Sequence, residues 1–191
     1  EVGEPQTLQN GEVIKRPGIV HRLDGETSGV VIIAKTQESF LFVKEQFQNR
    51  KVEKIYRAFV WDKFSEKEGT VDTPIGRSAS DFRRWSAEPG AKGELREAVT
   101  EYKVLKQNKE FAYLEIRPKT GRTHQIRVHM KSISHPVVGD KLYAPKREPA
   151  LGFTRMALHA LSIKLQMPSG FSVKIESELP EDFKQAELAL A

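Results

Sequence analysis

Alternating apolar and polar positions mark the middle of the chain and predict antiparallel strands. Residues 98–106 and 111–116 both alternate with a period of two, and a short connection joins them, so we expect a β-hairpin. A second pair, 156–165 and 171–175, flanks a Pro-Ser-Gly turn. Two such hairpins indicate a sheet that is largely antiparallel.

Three further strands are predicted nearer the N-terminus. The uninterrupted apolar run at 30–34 is typical of a buried strand, and 55–61 is rich in aromatic and β-branched residues. Residues 70–77 form a short strand that Pro74 breaks. The polar, basic and glycine-containing stretch at 78–94 is predicted to be an exposed loop.

Helical periodicity appears at two places outside these strands. Phe40, Val43 and Phe47 recur at helical spacing within 37–50, and a closing helix is predicted over 182–190. The chain contains no internal repeat and no low-complexity segment. The predicted fold class is therefore α+β, with a largely antiparallel mixed sheet flanked by helices in a single domain.

Composition narrows the function classes only moderately. The 191 residues include 31 Lys and Arg against 26 Asp and Glu, and a net charge of +5 permits nucleic-acid binding without requiring it. The absence of cysteine excludes disulfides, thiolate metal sites and a cysteine nucleophile. The apolar runs are shorter than the ~20 residues of a membrane span, and no signal peptide is visible. We expect a cytoplasmic protein with no membrane partner.

The stretch His-Arg-Leu-Asp-Gly-Glu-Thr-Ser-Gly at 21–29 is the first candidate site. It places Arg22 and Asp24 at the mouth of the predicted 30–34 strand, and two glycines allow a sharp turn or a close approach to a ligand. An ordinary surface turn, in which Asp24 bonds its own backbone, is the alternative.

The second candidate is the stretch at 119–130. A helix would place three apolar residues on one face, at Ile126, Met130 and Ile133. Alternation over the same stretch also fits a strand. On the helical interpretation Arg127 lies beside the buried stripe and needs an anionic partner, whereas a solvated surface arginine is the alternative. The third candidate, Tyr56 in the 55–61 strand, is by itself more typical of a core residue.

These three segments together resemble motifs of the RluA-type pseudouridine synthases. His-Arg-Leu-Asp with the following Thr-Ser-Gly resembles the first motif, Lys-Ile-Tyr-Arg-Ala the second, and Thr-Gly-Arg-Thr-His-Gln-Ile-Arg-Val-His the third. Weaker matches lie at 16–20, 136–143 and 155–160. The resemblance implies a synthase-like catalytic domain that isomerises uridine in RNA, with Asp24 catalytic, Arg127 as its ion-pair partner and Tyr56 stacked on the base.

The same resemblance implies the substrate and its contacts. Substrate binding falls to residues of the first and third motifs, namely His21, Arg22, Arg122, His124 and Gln125. Ribosomal or transfer RNA is the expected partner of a monomeric enzyme that needs no cofactor and no metal. Candidates for phosphate contacts are spread along the chain: Lys15, Arg16, Arg50, Lys51, Lys54, Arg57, Arg77, Arg83 and Arg84.

The side chains of these residues are suited to the isomerisation of uridine. A carboxylate can act as a nucleophile or stabilise positive charge on the sugar while the glycosidic bond breaks. The base must leave its stack, and Arg22 or His21 could fill the vacated space. Attack at C1′, attack at C6 and a glycal route remain open, and the residues identify no general base.

One departure from the family and one rival function remain. Family members usually carry a strand pair ahead of the first motif, and the short segment before Arg16 shows none. Residues 1–191 are therefore interpreted as a single catalytic domain, which is either N-terminally truncated or separated from its first strands. The rival is a non-enzymatic RNA-binding domain, although binding alone requires none of Asp24, Tyr56 and Arg127.

Other enzyme classes do not fit the residues. The Gly-Glu-Thr-Ser-Gly segment lacks the spacing of a serine-hydrolase elbow, and no Gly-Lys dipeptide is present for a P-loop. His124 and His129 lack a zinc-binding pattern around them.

Overall fold

The computed structural model describes residues 6–7, 11, 13–14 and 18–190, and it combines strands with a few helices. The strands are β1 (Gln6–Thr7), β2 (Val13–Ile14), β3 (Ser28–Gly29), β4 (Glu53–Trp61), β5 (Glu68–Asp72), β6 (Ile75–Arg77), β7 (Trp85–Ser86), β8 (Lys92–Arg96), β9 (Val99–Gln107), β10 (Phe111–Pro118), β11 (Leu158–Gln166) and β12 (Ser172–Glu176). The helices are α1 (Gln37–Gln48), α2 (Gln125–Ser132) and α3 (Glu181–Leu188).

A seven-stranded sheet forms the centre of the molecule. Its strands follow the order β12-β11-β4-β10-β9-β5 and pair antiparallel, while the short β3 pairs parallel with β11. Consecutive residues of β4 (58–60) and β10 (111–114) are buried, so both faces of the sheet are covered there. Met130 of α2 and Phe183 of α3 belong to the same core. The mixed α+β fold class predicted from the sequence is confirmed.

Most of the predicted elements are confirmed. The 98–106 and 111–116 strands form the hairpin β9–β10, and 156–165 pairs with 171–175 as β11–β12. The predicted helices at 37–50 and 182–190 correspond to α1 and α3. At 126–130 the helix is correct and the strand alternative is wrong, because α2 covers this stretch.

The predicted strand at 30–34 is wrong. Ser28–Gly29 pairs with β11 instead, and the segment that follows contributes only one isolated bridge, between Ile19 and Ile33. Val30 and Ile32 pack against the cluster formed by α1 and β11, whereas Val31 and Ile33 remain 46% and 53% exposed. An apolar run therefore covers one side of the helix and sheet without entering a ladder.

The loop predicted at 78–94 is also partly wrong. It contains β7 and the start of β8, which pair with β6 in a separate three-stranded sheet. All five residues of β8 are exposed, so the segment shows no alternation that a sequence pattern could reveal. Pro74 does mark a break, since β5 ends at Asp72 and β6 begins at Ile75.

A short strand pair also lies where the sequence predicts none. Gln6–Thr7 pairs antiparallel with Val13–Ile14, and strands of two residues are too short to produce a pattern. Residues 15–17, which include two of the predicted phosphate contacts and the start of the weaker 16–20 match, lie outside the described residues. Within the described part of the chain, the helices are too short or too polar to cross a bilayer.

Candidate active site

A cleft of about 560 Å³ brings together segments that are far apart in the sequence. Its walls come from the loop before β3, the start of β4, and the loop that leads from β10 into α2. All eight residues predicted for the site line it: His21, Arg22, Asp24, Tyr56, Arg122, His124, Gln125 and Arg127. The three motifs therefore converge on one surface.

Asp24 and Arg127 form an ion pair at the end of this cleft. Nη1 of Arg127 donates a hydrogen bond to Oδ2 of Asp24 at 3.0 Å, and the two side chains are 10% and 19% exposed. The amide of Thr27 bonds to the backbone carbonyl of Asp24, so the carboxylate does not cap its own turn. Neither the surface turn nor the solvated arginine describes these residues.

A second carboxylate, that of Asp140, holds the other edges of the Arg127 guanidinium. Nε and Nη2 of Arg127 donate to the two carboxylate oxygens of Asp140 at 2.7 and 2.9 Å. Asp140 also accepts the backbone amides of Leu142 and Tyr143, and its side chain is fully buried. Two carboxylates sharing one guanidinium leave this group with a net negative charge.

Asp140 is the site residue that sequence reasoning missed. It lies inside the weaker 136–143 match, in an irregular turn where no periodicity marks it. Gly139 just before it has a φ of +76°, and a Cβ there would lie 2.3 Å from the carbonyl oxygen of Arg155. A glycine followed by an acid after a buried Val-Val pair is the signal that could have identified it.

The hydrogen bonds and ion pairs of Arg127 raise its pKa by more than burial lowers it. Burial lowers the pKa of the guanidinium, but the bonds and charges of Asp140 and Asp24 raise it above its ordinary value. The ring of Tyr143 lies 4.9 Å from the guanidinium carbon and covers it further. Arg127 therefore stays charged and fixed in orientation.

Tyr56 lies in β4, opposite Ile116 of β10 and Ala160 of β11. Burial, together with the nearby charge of Asp24, raises the pKa of its hydroxyl to about 12. Its hydroxyl is therefore protonated at neutral pH, and its half-buried ring lines the cleft as an aromatic surface.

His21 forms part of the opposite wall in its neutral form. Burial, and secondarily the charge of Lys54, lowers its pKa to about 4. Nε2 accepts the backbone amide of Ile32 at 2.9 Å, and the ring stacks on Phe47 with a centroid distance of 4.9 Å. The neighbouring Arg22 lines the cleft from an exposed position.

Gln125 organises the loop of the third motif. Its amide nitrogen donates to the carbonyl of Val99 and the hydroxyl of Thr100, while its oxygen accepts from Thr120 and the amide of Arg122. These bonds use both donors and both acceptor positions of the amide. Gln125 therefore uses all of the hydrogen bonds of its side chain to stabilise the cleft wall.

The two other predicted residues of this wall are held by contacts to neighbouring segments. Nε of Arg122 donates to the backbone carbonyl of Glu97 at 2.9 Å. His124 has a φ of 56°, a conformation uncommon outside glycine, and its Nδ1 lies 3.0 Å from the hydroxyl of Tyr143. Burial lowers the pKa of His124, so its ring is predominantly neutral near pH 7.

The charges of the cleft are strongly unequal. Asp24 is the single carboxylate among its lining residues, against six cationic side chains: Arg22, Arg50, Lys54, Lys119, Arg122 and Arg127. Such a surface suits an anionic polymer. Among the described residues, no group of three histidine, aspartate or glutamate side chains could hold a metal ion.

Comparisons with known proteins give a matching family and several relatives. The family model described as RNA pseudouridylate synthase matches residues 4–132. An uncharacterized RNA pseudouridine synthase of Chloroflexus aurantiacus is 40% identical over 181 residues, which cover 94% of this chain and 55% of that protein. The ribosomal large subunit pseudouridine synthase D of Pseudomonas aeruginosa is 39% identical over 182 residues, covering 89% and 55%. The chain thus spans about half the length of the curated relatives it matches.

A solved structure shares the same architecture. Human RNA Pseudouridylate Synthase Domain Containing 1 superposes with a TM-score of 0.76 at 29% identity. The match covers 85% of this chain and 69% of the human chain.

Proposed function

Since the chain belongs to the RNA pseudouridylate synthase family, we propose that it converts specific uridines in structured RNA to pseudouridine. The pairing of Asp24 with Arg127 inside a cationic cleft is the observation that supports this most directly. Ribosomal or transfer RNA in the cytoplasm is the proposed substrate class. Residues 1–191 act as one catalytic domain and as a monomer, which light scattering of the purified protein tests.

The reaction is an isomerisation and consumes no co-reactant. The bond between N1 of uracil and C1′ of ribose breaks, C5 becomes bonded to C1′, and the proton lost from C5 is balanced by one gained at N1. Asp24 acts as the nucleophile, in the manner of a carboxylate in glycoside chemistry. Arg127, held by Asp140, positions that carboxylate.

Tyr56 supplies the surface on which the target base stacks. Because the base must leave its helix to reach Asp24, either Arg22 or His21 at the cleft wall occupies the space that it vacates. Arg22 is exposed, whereas the ring of His21 is held by Phe47 and by the amide of Ile32, so Arg22 is the better placed of the two. Arg122 and His124 contact the RNA from the opposite wall, and Gln125 maintains that wall.

Transcripts of ribosomal and transfer RNA, incubated with the purified protein, provide the direct test. Carbodiimide labelling followed by reverse transcription places a stop at each pseudouridine. We expect new stops with the wild type and none with Asp24→Asn. RNA from cells that lack the protein should lose the same stops, and they should return with the wild-type gene alone.

The alternative function is a non-enzymatic RNA-binding domain built on the same fold, for which the six cations of the cleft are sufficient. Wild-type protein that binds these transcripts without producing stops, in cells and in vitro, would support that alternative. The pairing of Asp24 with Arg127 favours the enzyme, because a carboxylate in a cationic cleft does not contribute to binding of an anionic polymer.

A further inference from the structure

Three of the six cations of the cleft, Arg22, Lys54 and Arg122, form no ion pair among the described residues, and Lys54 is the one that lies on the same strand as Tyr56. Arg127 is shared by two carboxylates, Arg50 pairs with Glu97, and Lys119 pairs with Glu101. The ammonium of Lys54 donates only to the backbone carbonyl of Thr120, at 3.0 Å. Among the described residues, no carboxylate forms an ion pair with it.

Its environment is unfavourable for an isolated positive charge. Burial alone lowers the pKa of Lys54 to about 8, and the ring of His21, whose pKa the charge of Lys54 lowers, is neutral near pH 7. Removing an ammonium from water without an anionic partner costs free energy that a packed apolar side chain would not cost. The charge of Lys54 therefore does not stabilise the free protein. Its presence is explained if an anionic group of the substrate binds beside it.

The position of Lys54 along the strand identifies that anion. Lys54 and Tyr56 are two residues apart in β4, so they project from the same face at a separation of about 6.6 Å. Lys54 lies at the start of β4, where it lines the cleft together with Tyr56 and Asp24. In a nucleotide the phosphate is separated from the base by the ribose, and the base would stack on Tyr56.

From these relations we propose that Lys54 binds a backbone phosphate of the target uridine within the cleft. The inference rests on the proposed function, because it takes Tyr56 as the stacking surface for the base. Four of the other predicted phosphate contacts are already paired with carboxylates: Arg50 with Glu97, Arg57 with Glu115, and both Arg83 and Arg84 with Asp81. Lys54 is thus the phosphate ligand at the reaction centre rather than one of many surface charges.

Salt dependence of binding isolates a single phosphate contact. The probe is a fluorescein-labelled decauridylate, titrated with protein by fluorescence anisotropy in a series of KCl concentrations. Lys54→Gln removes the charge and keeps a donor for the Thr120 carbonyl. We expect its dissociation constant to rise about tenfold. The slope of log K against log[KCl] should become shallower by about 0.7, the value for one phosphate on a single strand.

Two variants control this measurement. Lys54→Arg preserves the charge and should preserve the salt slope, whereas Lys63→Met lies beyond the opposite end of β4 and should change neither quantity. Lys54→Met serves as a second neutral variant if the glutamine variant folds poorly, and thermal melting monitors folding of all four. Neutral variants should melt no lower than the wild type, because they remove an uncompensated buried charge.

An unchanged salt slope in both neutral variants would overturn the proposal, even with a weaker dissociation constant. A loss of kcat on the transcripts with an unchanged dissociation constant would also overturn it and assign Lys54 to the uracil ring. Binding of decauridylate does not require turnover. An inactive wild type would therefore contradict the proposed function while the salt slopes still decide the role of Lys54.

Discussion

The carboxylate of Asp24 accepts a hydrogen bond from Arg127 at 3.0 Å, although 103 positions separate the two residues in the sequence. The guanidinium that makes this bond is fixed from its other edges by the fully buried Asp140. The orientation of the Asp24 carboxylate therefore depends on Asp140, whose own carboxylate is buried. Five consequences of this and related contacts can be measured.

Replacing Asp24 by asparagine should separate chemistry from binding. Asparagine has nearly the same shape but cannot act as an anionic nucleophile, so we expect kcat to fall by at least about 10³-fold. Affinity for the transcripts should change little, because the cations of the cleft are untouched. Turnover assays and filter binding check both quantities, and an equally steep loss of affinity would make Asp24 a structural residue.

Asp140→Asn should weaken both the fold and the reaction. The substitution leaves Arg127 buried with one charged partner fewer, and breaking such a pair costs about 3 kcal/mol of unfolding free energy. The matched control is Asp62→Asn, which disrupts the exposed pair of Asp62 with Arg147 and should cost less than about 1 kcal/mol. Urea unfolding measures the loss of unfolding free energy in each variant, and turnover assays measure the reaction. Equal losses of unfolding free energy in the two variants would contradict the role assigned to Asp140.

Tyr56 tests stacking separately from its hydroxyl. Tyr56→Phe retains the ring and should bind RNA with wild-type affinity, whereas Tyr56→Leu should lose about tenfold, as expected for removal of one base–aromatic contact. The hydroxyl has a pKa of about 12, so no change in rate between pH 6 and 10 should be assignable to its ionisation. A limb in that range that disappears in Tyr56→Phe would contradict this.

The two glycines of the first motif should differ sharply in tolerance. Gly29 has a φ of +115°, and a Cβ there would lie 2.1 Å from the carbonyl oxygen of Ala160, so Gly29→Ala should cost at least about 2 kcal/mol. Gly25 faces open space without a positive φ, and Gly25→Ala should stay within about 0.5 kcal/mol of the wild type. Comparable unfolding curves for the two variants would exclude this account of Gly29.

Acid should destabilise the protein before most carboxylates titrate. Burial lowers the pKa of four histidines, to about 4 for His21 and in the same direction for His124, His129 and His159. Their unfolded pKa is about 6.5, so the unfolded chain binds more protons below that pH.

The stability that these neutral histidines contribute is thus complete above about pH 6.5 and decreases below it, and the part due to His21 is lost as the pH falls toward 4. Urea unfolding should give nearly the same unfolding free energy at pH 7.5 and 6.5, and decreasing values at pH 5.5 and 5. A flat profile over this interval would show that the four rings are accessible to protons in the folded state.

Periodicity sufficed for the elements that lie on one face of the core. The β9–β10 hairpin and α1 bury one side and expose the other, so their apolar spacing predicts them directly. The run at 30–34 violates this assumption, because it rests on α1 and β11 without pairing in the sheet. The exposed β8 violates it in the opposite way, since neither of its faces is buried.

The sequence predicts the residues of the candidate site only where they lie in local motifs. Asp24, Tyr56 and Arg127 lie in recognisable segments, and the fold brings all three to one cleft. Asp140 lies in a turn, and its importance arises from a contact with Arg127 that no local pattern encodes. The isolation of Lys54 is likewise a property of its three-dimensional neighbours, so composition and spacing could not distinguish it from other lysines.

The parallel pairing of β3 with β11 determines when the site can form during synthesis. The hydroxyl of Ser28 lies 2.9 Å from the ring of His159, 131 residues later in the chain. Ribosomes add about 5–20 residues per second, so the Asp24 loop waits roughly 7–25 seconds before its anchoring strand has been made. Throughout that interval the segment that contains Asp24 and β3 has no β11 strand with which to pair. The candidate site therefore cannot be complete before β11 has left the ribosome.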